Sequence, residues 1–398
     1  MEGNEQRDAA VPAPAGVGSA KAGVETLSGP VGAAGGAGPQ PAAGNGVLME
    51  AARSMAPAYA ALDLGTNNCR LLVARPSRRG FRVIDAFSRI IRLGEGVSQT
   101  GRLSEEAIER TIDALKVCAG KMSKHRVARA GLIATEACRR ADNAPQFLQR
   151  ARQETGLAIK IVTQETEAKL AVSGCASLLE FSSDLALVFD IGGGSSELIW
   201  LDLARRRQTG RRSLHDRLEA HRCIMAWTSL PVGVVTLAEK FGGTFVDRVM
   251  FEAMVAHVVA LLEPFEAKHR LRERIACVST HLLGTSGTVT TVAGVHMRLP
   301  RYDRKRVDGC WLAIDEVRAV TERVLGASYE ERVAEPCIGK ERADLVLAGC
   351  AILEALLQTW PCERLRVADR GLREGILATL MAEDGLYRSS GRQGYWRR

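Results

Sequence analysis

The chain has 398 residues, of which 46% are hydrophobic and 25% charged, and its formal net charge is +8. That length favours two or three domains with cores of their own and excludes a small disulfide-stapled scaffold. No run reaches the ~18 apolar residues of a transmembrane helix. The first residues also lack the basic-then-apolar order of a secretory signal, so neither a membrane span nor an export segment is expected.

Residues 1–57 are rich in Gly, Ala and Pro, with three basic against five acidic side chains. Too little apolar surface is present to offset the entropy of ordering them, so a disordered tail is predicted. The remainder then carries about +10, a balance that favours polyanionic partners without separating nucleic acid from nucleotide or polyphosphate. Ten cysteines are scattered, with no Cys-x-x-Cys pair and no histidine at metal-ligand spacing. This pattern suits reduced, buried thiols and a cytoplasmic location.

In chain order, strands are predicted over Tyr59–Leu64, Cys69–Arg75 and Phe81–Arg92, forming an antiparallel meander. A helix over Ser104–Ser123 has Ser104 as its N-cap and an apolar face of Ile108, Ile112 and Leu115. Val127–Ala134 returns as a strand, Asn143 is read as the cap of a helix ended by Gly156, and Leu157–Val162 is the next strand. A helix follows from Glu165 to Leu179. The second half repeats the order: strands Leu185–Phe189, Glu197–Leu203 and Ile224–Leu230, then a long helix over Val246–Arg270. A strand over Ile275–Ser279 is expected to feed a glycine turn, followed by helices Ile314–Leu325 and Ala343–Gln358, strand Leu365–Ala368 and a last helix from Gly371. The loop 204–222 carries seven arginines and reads either as a solvated insertion or as an anion-attracting flap. Residues 386–398 read as a basic tail.

Two stretches carry the chemistry. Leu185–Phe189 delivers Asp190 into Gly192, Gly193, Gly194 and Ser195, with Glu197 beyond. Tyr59–Leu64 delivers Asp63 into Gly65, Thr66 and Asn67. Glycines leave backbone N–H groups open to the close approach of a phosphate, and carboxylates on either side of such a cradle make sense if a hard cation joins them to the phosphate. One such hairpin in each half predicts two related lobes with a cleft between them. A third glycine turn, Gly284, Thr285, Ser286 and Gly287, opens a helix whose N-terminus favours anions. Glu165 and Glu167 begin a helix, where acids complement the dipole; Glu167 is equally placed to face the cleft and take a proton from water. A serine-hydrolase elbow and a P-loop are both absent from the sequence.

Seven motifs, Asp63-Leu-Gly-Thr-Asn67, Ala134-Thr-Glu-Ala-Cys-Arg139, Glu165-Thr-Glu-Ala168, Asp190-Ile-Gly-Gly-Gly-Ser-Ser-Glu197, Ser229-Leu-Pro-Val-Gly233, Gly284-Thr-Ser-Gly-Thr288 and Gly371-Leu-Arg-Glu-Gly375, occur in one order across about Tyr59 to Leu380. In this the chain resembles the exopolyphosphatase and guanosine pentaphosphate phosphohydrolase family (Ppx/GppA), in its short form without additional C-terminal helical domains. The resemblance implies an α/β fold of two ribonuclease-H-like lobes, as in the actin and sugar-kinase superfamily, with lobe one at 58–166 joined by the helix 371–385 and lobe two at 167–370.

It further implies Mg²⁺-dependent hydrolysis of the terminal phosphoanhydride of inorganic polyphosphate, or of the 5′ γ-phosphate of pppGpp. Glu167 would be the general base and Arg139 would face the scissile phosphate. Asp190, Glu197 and Asp63 would be the metal-site carboxylates, and the three glycine turns would hold phosphates. Asn68 stands where many members have Ser or Thr, which removes a hydroxyl near the phosphate. A kinase or ATP-driven actin-like binding protein is the alternative of another class, and a non-catalytic polyphosphate sensor is disfavoured by the presence of the full carboxylate set. No specific nucleic acid and no membrane is expected as partner, and a homodimer is compatible with the sequence.

Overall fold

The computed structural model describes residues 56–77, 80–204 and 219–386. Residues 1–55 and 387–398 of the expected tails, and residues 205–218 of the arginine-rich loop 204–222, lie outside these residues. Among the described residues no helix is long and apolar enough to cross a membrane.

Two mixed sheets organise the rest. The first contains β1 (Ala58–Leu64), β2 (Asn68–Ser77), β3 (Gly80–Ile90), β4 (Val127–Ala134) and β5 (Lys160–Ile161), in the order β3-β2-β1-β4-β5. The second contains β6 (Leu185–Ile191), β7 (Ser196–Asp202), β8 (Ile224–Leu230), β9 (Thr280–Thr285), β10 (Trp311–Ala313) and β11 (Arg364–Ala368), in the order β10-β11-β9-β6-β7-β8. In both, a three-stranded antiparallel meander is extended from its first strand by parallel strands. The duplication expected from the two Asp-Gly turns is therefore a duplication of topology, with β10 added as an antiparallel edge. The architecture is α/β, two mixed sheets flanked by helices.

Ten helices of interest cover the sheets: α1 (Glu105–Lys124), α2 (Glu136–Arg140), α3 (Ala144–Thr155), α4 (Gln164–Cys175), α5 (Val234–Phe241), α6 (Arg248–His269), α7 (Gly287–His296), α8 (Ile314–Leu325), α9 (Val346–Thr359) and α10 (Leu372–Glu383). Ser104 caps α1 as its sequence suggests, accepting from Ala107 N. Lobe one packs Ile108, Ile112 and Leu115 under Leu62, Leu71 and Val73. Lobe two buries Trp200, Trp360 and Phe265 with the inner faces of α6 and α9. The C-terminal helix returns to the first sheet, where Leu372, Ile376, Leu377 and Met381 pack on Tyr59, Ala61 and Leu72. It crosses α4 at glycines: a Cβ on Gly174 would overlap the Gly371 carbonyl, and one on Gly375 would overlap that of Leu170.

Three local expectations are corrected, and one helix was not expected. Asn143 does not cap α3; its amide bonds both backbone groups of Leu103 instead. The strand expected over Leu157–Val162 shrinks to Lys160–Ile161, an edge where Ile161 stays 41% exposed. Residues 271–275 form a short helix, and the strand after it is Thr280–Thr285 rather than Ile275–Ser279, because the apolar run Leu282-Leu283 pairs in parallel with Leu187-Val188. The helix α5, unread in the sequence, begins directly after Gly233.

Candidate active site

The two Asp-Gly hairpins meet face to face. In lobe one, Asp63 lies opposite Arg70 in the β1–β2 ladder, and Gly65 N donates to Asn68 O to close the turn. In lobe two, Asp190 lies opposite Glu197, and Gly192 N donates to Ser195 O. The turns are so close that a Cβ on Gly193 would come within 3.0 Å of Thr66 Cβ and 3.2 Å of Asn67 N, and one on Gly194 within 2.9 Å of Thr66 Oγ1. Glycine is needed at these positions for approach, not for a left-handed backbone. Val234 N and Val235 N, at the start of α5, donate to Gly192 O and Gly193 O and fix the lobe-two turn from behind.

The side chains read as catalytic in the sequence arrive from α2, just after β4, and from the start of α4. Arg139 donates from Nη1 to Glu167 Oε2 at 2.7 Å and to Val162 O at 3.0 Å, and from Nε and Nη2 to Glu136 Oε2. Thr163 caps α4, accepting from Thr166 N, which sets Glu167 in the first turn and aims it across the lobe boundary. Glu165 stays at the solvent-facing start of the helix, as the dipole reading has it, and makes an exposed ion pair with Lys169. On lobe two, Glu197 is only 2% exposed and accepts from Ser195 Oγ at 2.7 Å and Ser229 Oγ at 2.9 Å.

Burial governs the electrostatics. It pushes the Asp190 carboxyl up to about 7, with Glu197 and Asp63 adding to the rise and Arg70 and Arg373 opposing it. Burial likewise raises Asp63, against Arg70 and Arg373. Glu167 is raised well above the ordinary range by burial and then by the charge of Glu197, although Arg139 pulls the other way. Glu197 is raised by burial and lowered in part by its two serine donors. Four acidic groups thus share one desolvated cleft in which full ionisation is costly unless positive charge enters. Among the described residues no three His, Cys, Asp or Glu come together as a group that could hold a metal ion.

Of the residues singled out in the sequence, Asp63, Gly65, Thr66, Asn67, Glu167, Asp190, Gly192, Gly193, Gly194, Ser195, Glu197, Ser286 and Gly287 line this one cleft, and Arg139 stands behind Glu167. Gly284 does not join them. It lies inside β9, where a Cβ would strike the Phe189 ring, so its small size serves packing rather than phosphate. Thr285 is turned to the Arg370 carbonyl and lines an adjoining depression. Ser286 holds φ 106°, a strained value for a residue with a Cβ, and its buried Oγ has no hydrogen-bond partner among the described residues. Unread in the sequence were Glu136, Arg70, Thr291 and Arg342, which also line the cleft. Arg70 was legible in principle, since hairpin register sets it opposite Asp63.

A family model described as the Ppx/GppA phosphatase family matches residues 72–384. The crystal structure of the Aquifex aeolicus member of that family is 29% identical, with a TM-score of 0.65 over 82% of this chain and 98% of the other. An exopolyphosphatase-like protein is 26% identical, with a TM-score of 0.69 over 81% and 97%. An exopolyphosphatase from Cytophaga hutchinsonii, at 23% identity, has the same fold, with a TM-score of 0.70 over 82% and 98%.

Proposed function

The chain belongs to the Ppx/GppA phosphatase family, and from that premise we propose that it is an exopolyphosphatase, releasing the terminal phosphate of inorganic polyphosphate by attack of water. The observation that carries this reading is the half-buried Glu167–Arg139 pair set beside two opposed glycine turns. Backbone N–H groups of Thr66–Asn67 and Gly193–Ser195 would hold the terminal phosphates, those of Gly65 and Gly192 being spent inside their turns. Phosphoryl transfer is chiefly positioning and charge neutralisation, so rigid turns fastened from behind are the appropriate apparatus.

Glu167, once ionised, orients the water and accepts its proton. Arg139 holds one oxygen of that carboxylate, leaving the other for water; bonded also to Val162 O and Glu136 and standing behind Glu167 rather than in the cleft lining, it acts through Glu167 instead of facing the scissile phosphate as expected. Glu136 anchors Arg139 from the opposite edge. Two of the expected ligands fit Mg²⁺: Asp190 and Glu197, paired across one hairpin, are hard oxygen donors whose crowding a divalent cation would relieve, while Asp63 does not join them in a three-ligand group. Mg²⁺ commonly takes one or two carboxylates and completes its shell with water and substrate phosphate, so a full protein cage is not required. When bound it would neutralise charge on the phosphate oxygens.

A pppGpp 5′-phosphohydrolase is the second reading. It is favoured by the extension of the cleft past the turns to Ser286, Thr291 and Arg342, where a nucleoside could lodge. Phosphate release measured side by side on long-chain polyphosphate, pppGpp and ATP, with and without Mg²⁺, tests both. Release from polyphosphate without nucleotide is expected; release from ATP alone would overturn the proposal in favour of an ATP-driven protein.

A further inference from the structure

The loop 91–101 of lobe one touches both halves of the phosphate cradle. On its own side, Ile91 N and Arg92 N donate to Asn67 O, and Gly94 N donates to Thr66 O at 2.9 Å. Gly94 lies so tightly on the turn that a Cβ would overlap the Thr66 methyl. Across the cleft, Gly96 N donates to Glu239 Oε1 at 2.8 Å and Ser98 Oγ donates to Glu239 Oε2 at 2.6 Å. Glu239 sits on α5, the helix whose first two amides hold Gly192 and Gly193. One carboxylate thereby closes a circuit: Thr66–Asn67 turn, loop 91–101, Glu239, α5, Gly192–Gly193 turn. A parallel strut runs from Arg92 Nη2 to Asp344 Oδ2 at 3.0 Å, just before α9.

Chain connectivity does not impose these contacts. Gly96 and Ser98 lie 143 and 141 residues from Glu239, and Arg92 lies 252 from Asp344. Both struts span the lobes at the rim of the cleft, where Glu239 and Asp344 share a surface depression with Asn67 and Arg92. A carboxylate accepting one backbone N–H and one hydroxyl is directional and charge-assisted, yet it can be broken without exposing core. Those are the properties of a latch between two packed lobes.

We propose that Glu239 is a positioning residue that latches the two lobes shut, holding the Thr66–Asn67 and Gly192–Gly193 turns at the spacing that grips a chain of phosphates. This rests on the reading that both turns bind substrate phosphate. The latch sets the fraction of molecules with an assembled cradle, and apparent affinity scales with that fraction. Its loss weakens capture of substrate, while a molecule that has closed on substrate reacts at its normal rate.

The test uses the full chain with Glu239→Ala, the milder Ser98→Ala, and Glu252→Ala as a control on the exposed face of α6. Loss of two solvent-discounted hydrogen bonds to a carboxylate should raise KM for long-chain polyphosphate about tenfold in Glu239→Ala and about threefold in Ser98→Ala. In both, kcat should stay within about twofold and the melting temperature within ~2 °C, as the core is untouched. Deuterium uptake supplies a readout independent of turnover. The Gly96 amide should exchange faster in Glu239→Ala, while the Ile91 and Gly94 amides, bonded to the lobe-one turn, keep their protection.

Unchanged KM together with unchanged Gly96 exchange would overturn the latch. A fall in kcat at constant KM with a lowered melting temperature would do so too, because that marks a structural role. If the wild-type chain released no phosphate from any substrate, the proposed function would fall, and Gly96 exchange would still decide the latch.

Discussion

Replacing Glu167 with Gln isolates basicity from geometry. The amide oxygen of Gln can still accept the bond that Arg139 Nη1 makes to Oε2 at 2.7 Å, and Arg139 keeps its contacts to Glu136 and Val162. What disappears is the proton acceptor, and general-base assistance is typically worth ~10²–10⁴-fold, or ~3–5 kcal/mol of barrier. Turnover of polyphosphate should therefore fall by that factor with little change in binding.

Stability should move the other way. Burial and Glu197 raise the Glu167 carboxyl well above its ordinary range, so between that range and the raised value the folded state holds more protons than the unfolded state. Wild-type stability then declines as pH rises through this window. The Gln variant loses that component and should melt at the wild-type temperature or above it at neutral pH. For the same reason the acid limb of kcat/KM in the wild type should lie above the usual glutamate range, because only the ionised carboxylate accepts a proton. Rapid phosphate release, equilibrium binding and melting curves across pH read all three effects. Turnover of Glu167→Gln within a few-fold of wild type would refute the assignment.

Asp190→Asn should raise the Mg²⁺ concentration needed for half-maximal rate and leave the melting temperature in chelator unchanged or higher, since a buried like charge is removed; a Mg²⁺ titration paired with melting curves checks it. Glu266→Ala should destabilise lobe two by roughly 3–5 kcal/mol without touching the cleft, because the buried carboxylate accepts from Trp360 Nε1, Leu271 N and Arg272 N and all three donors would be stranded; chemical unfolding measures the loss. His281 is fully buried and held neutral, its pKa pushed down to about 4 by burial. Wild-type stability should thus fall by up to ~3 kcal/mol as pH drops from about 6.5 to 4, and His281→Gln should show a shallower acid slope in the same unfolding assay.

How much of this was legible in the sequence follows from what each signal encodes. Strand, aspartate and glycine occurring together mark a hairpin that presents backbone N–H groups, and both such hairpins stand where their residues indicate, in the same cleft. The helix cap at Ser104 and the stop at Gly156 are equally local and equally readable. Gly284 shows the limit of that logic. Its neighbours read as a third cradle, but a glycine can as well be demanded by a ring packed against the strand, and only the pairing of β9 with β6 brings Phe189 there. Partners supplied by another element fall outside local patterns. Glu136 reaches Arg139 within one helical turn, whereas Glu239 meets Gly96 and Ser98 only because α5 and the loop 91–101 are each bonded to a glycine turn and those turns face each other. The turns are therefore written locally, while the spacing between them is written in contacts far apart in the chain. Substitutions in the first class should alter how phosphate is held once the cleft is closed, and substitutions in the second should alter how often it closes.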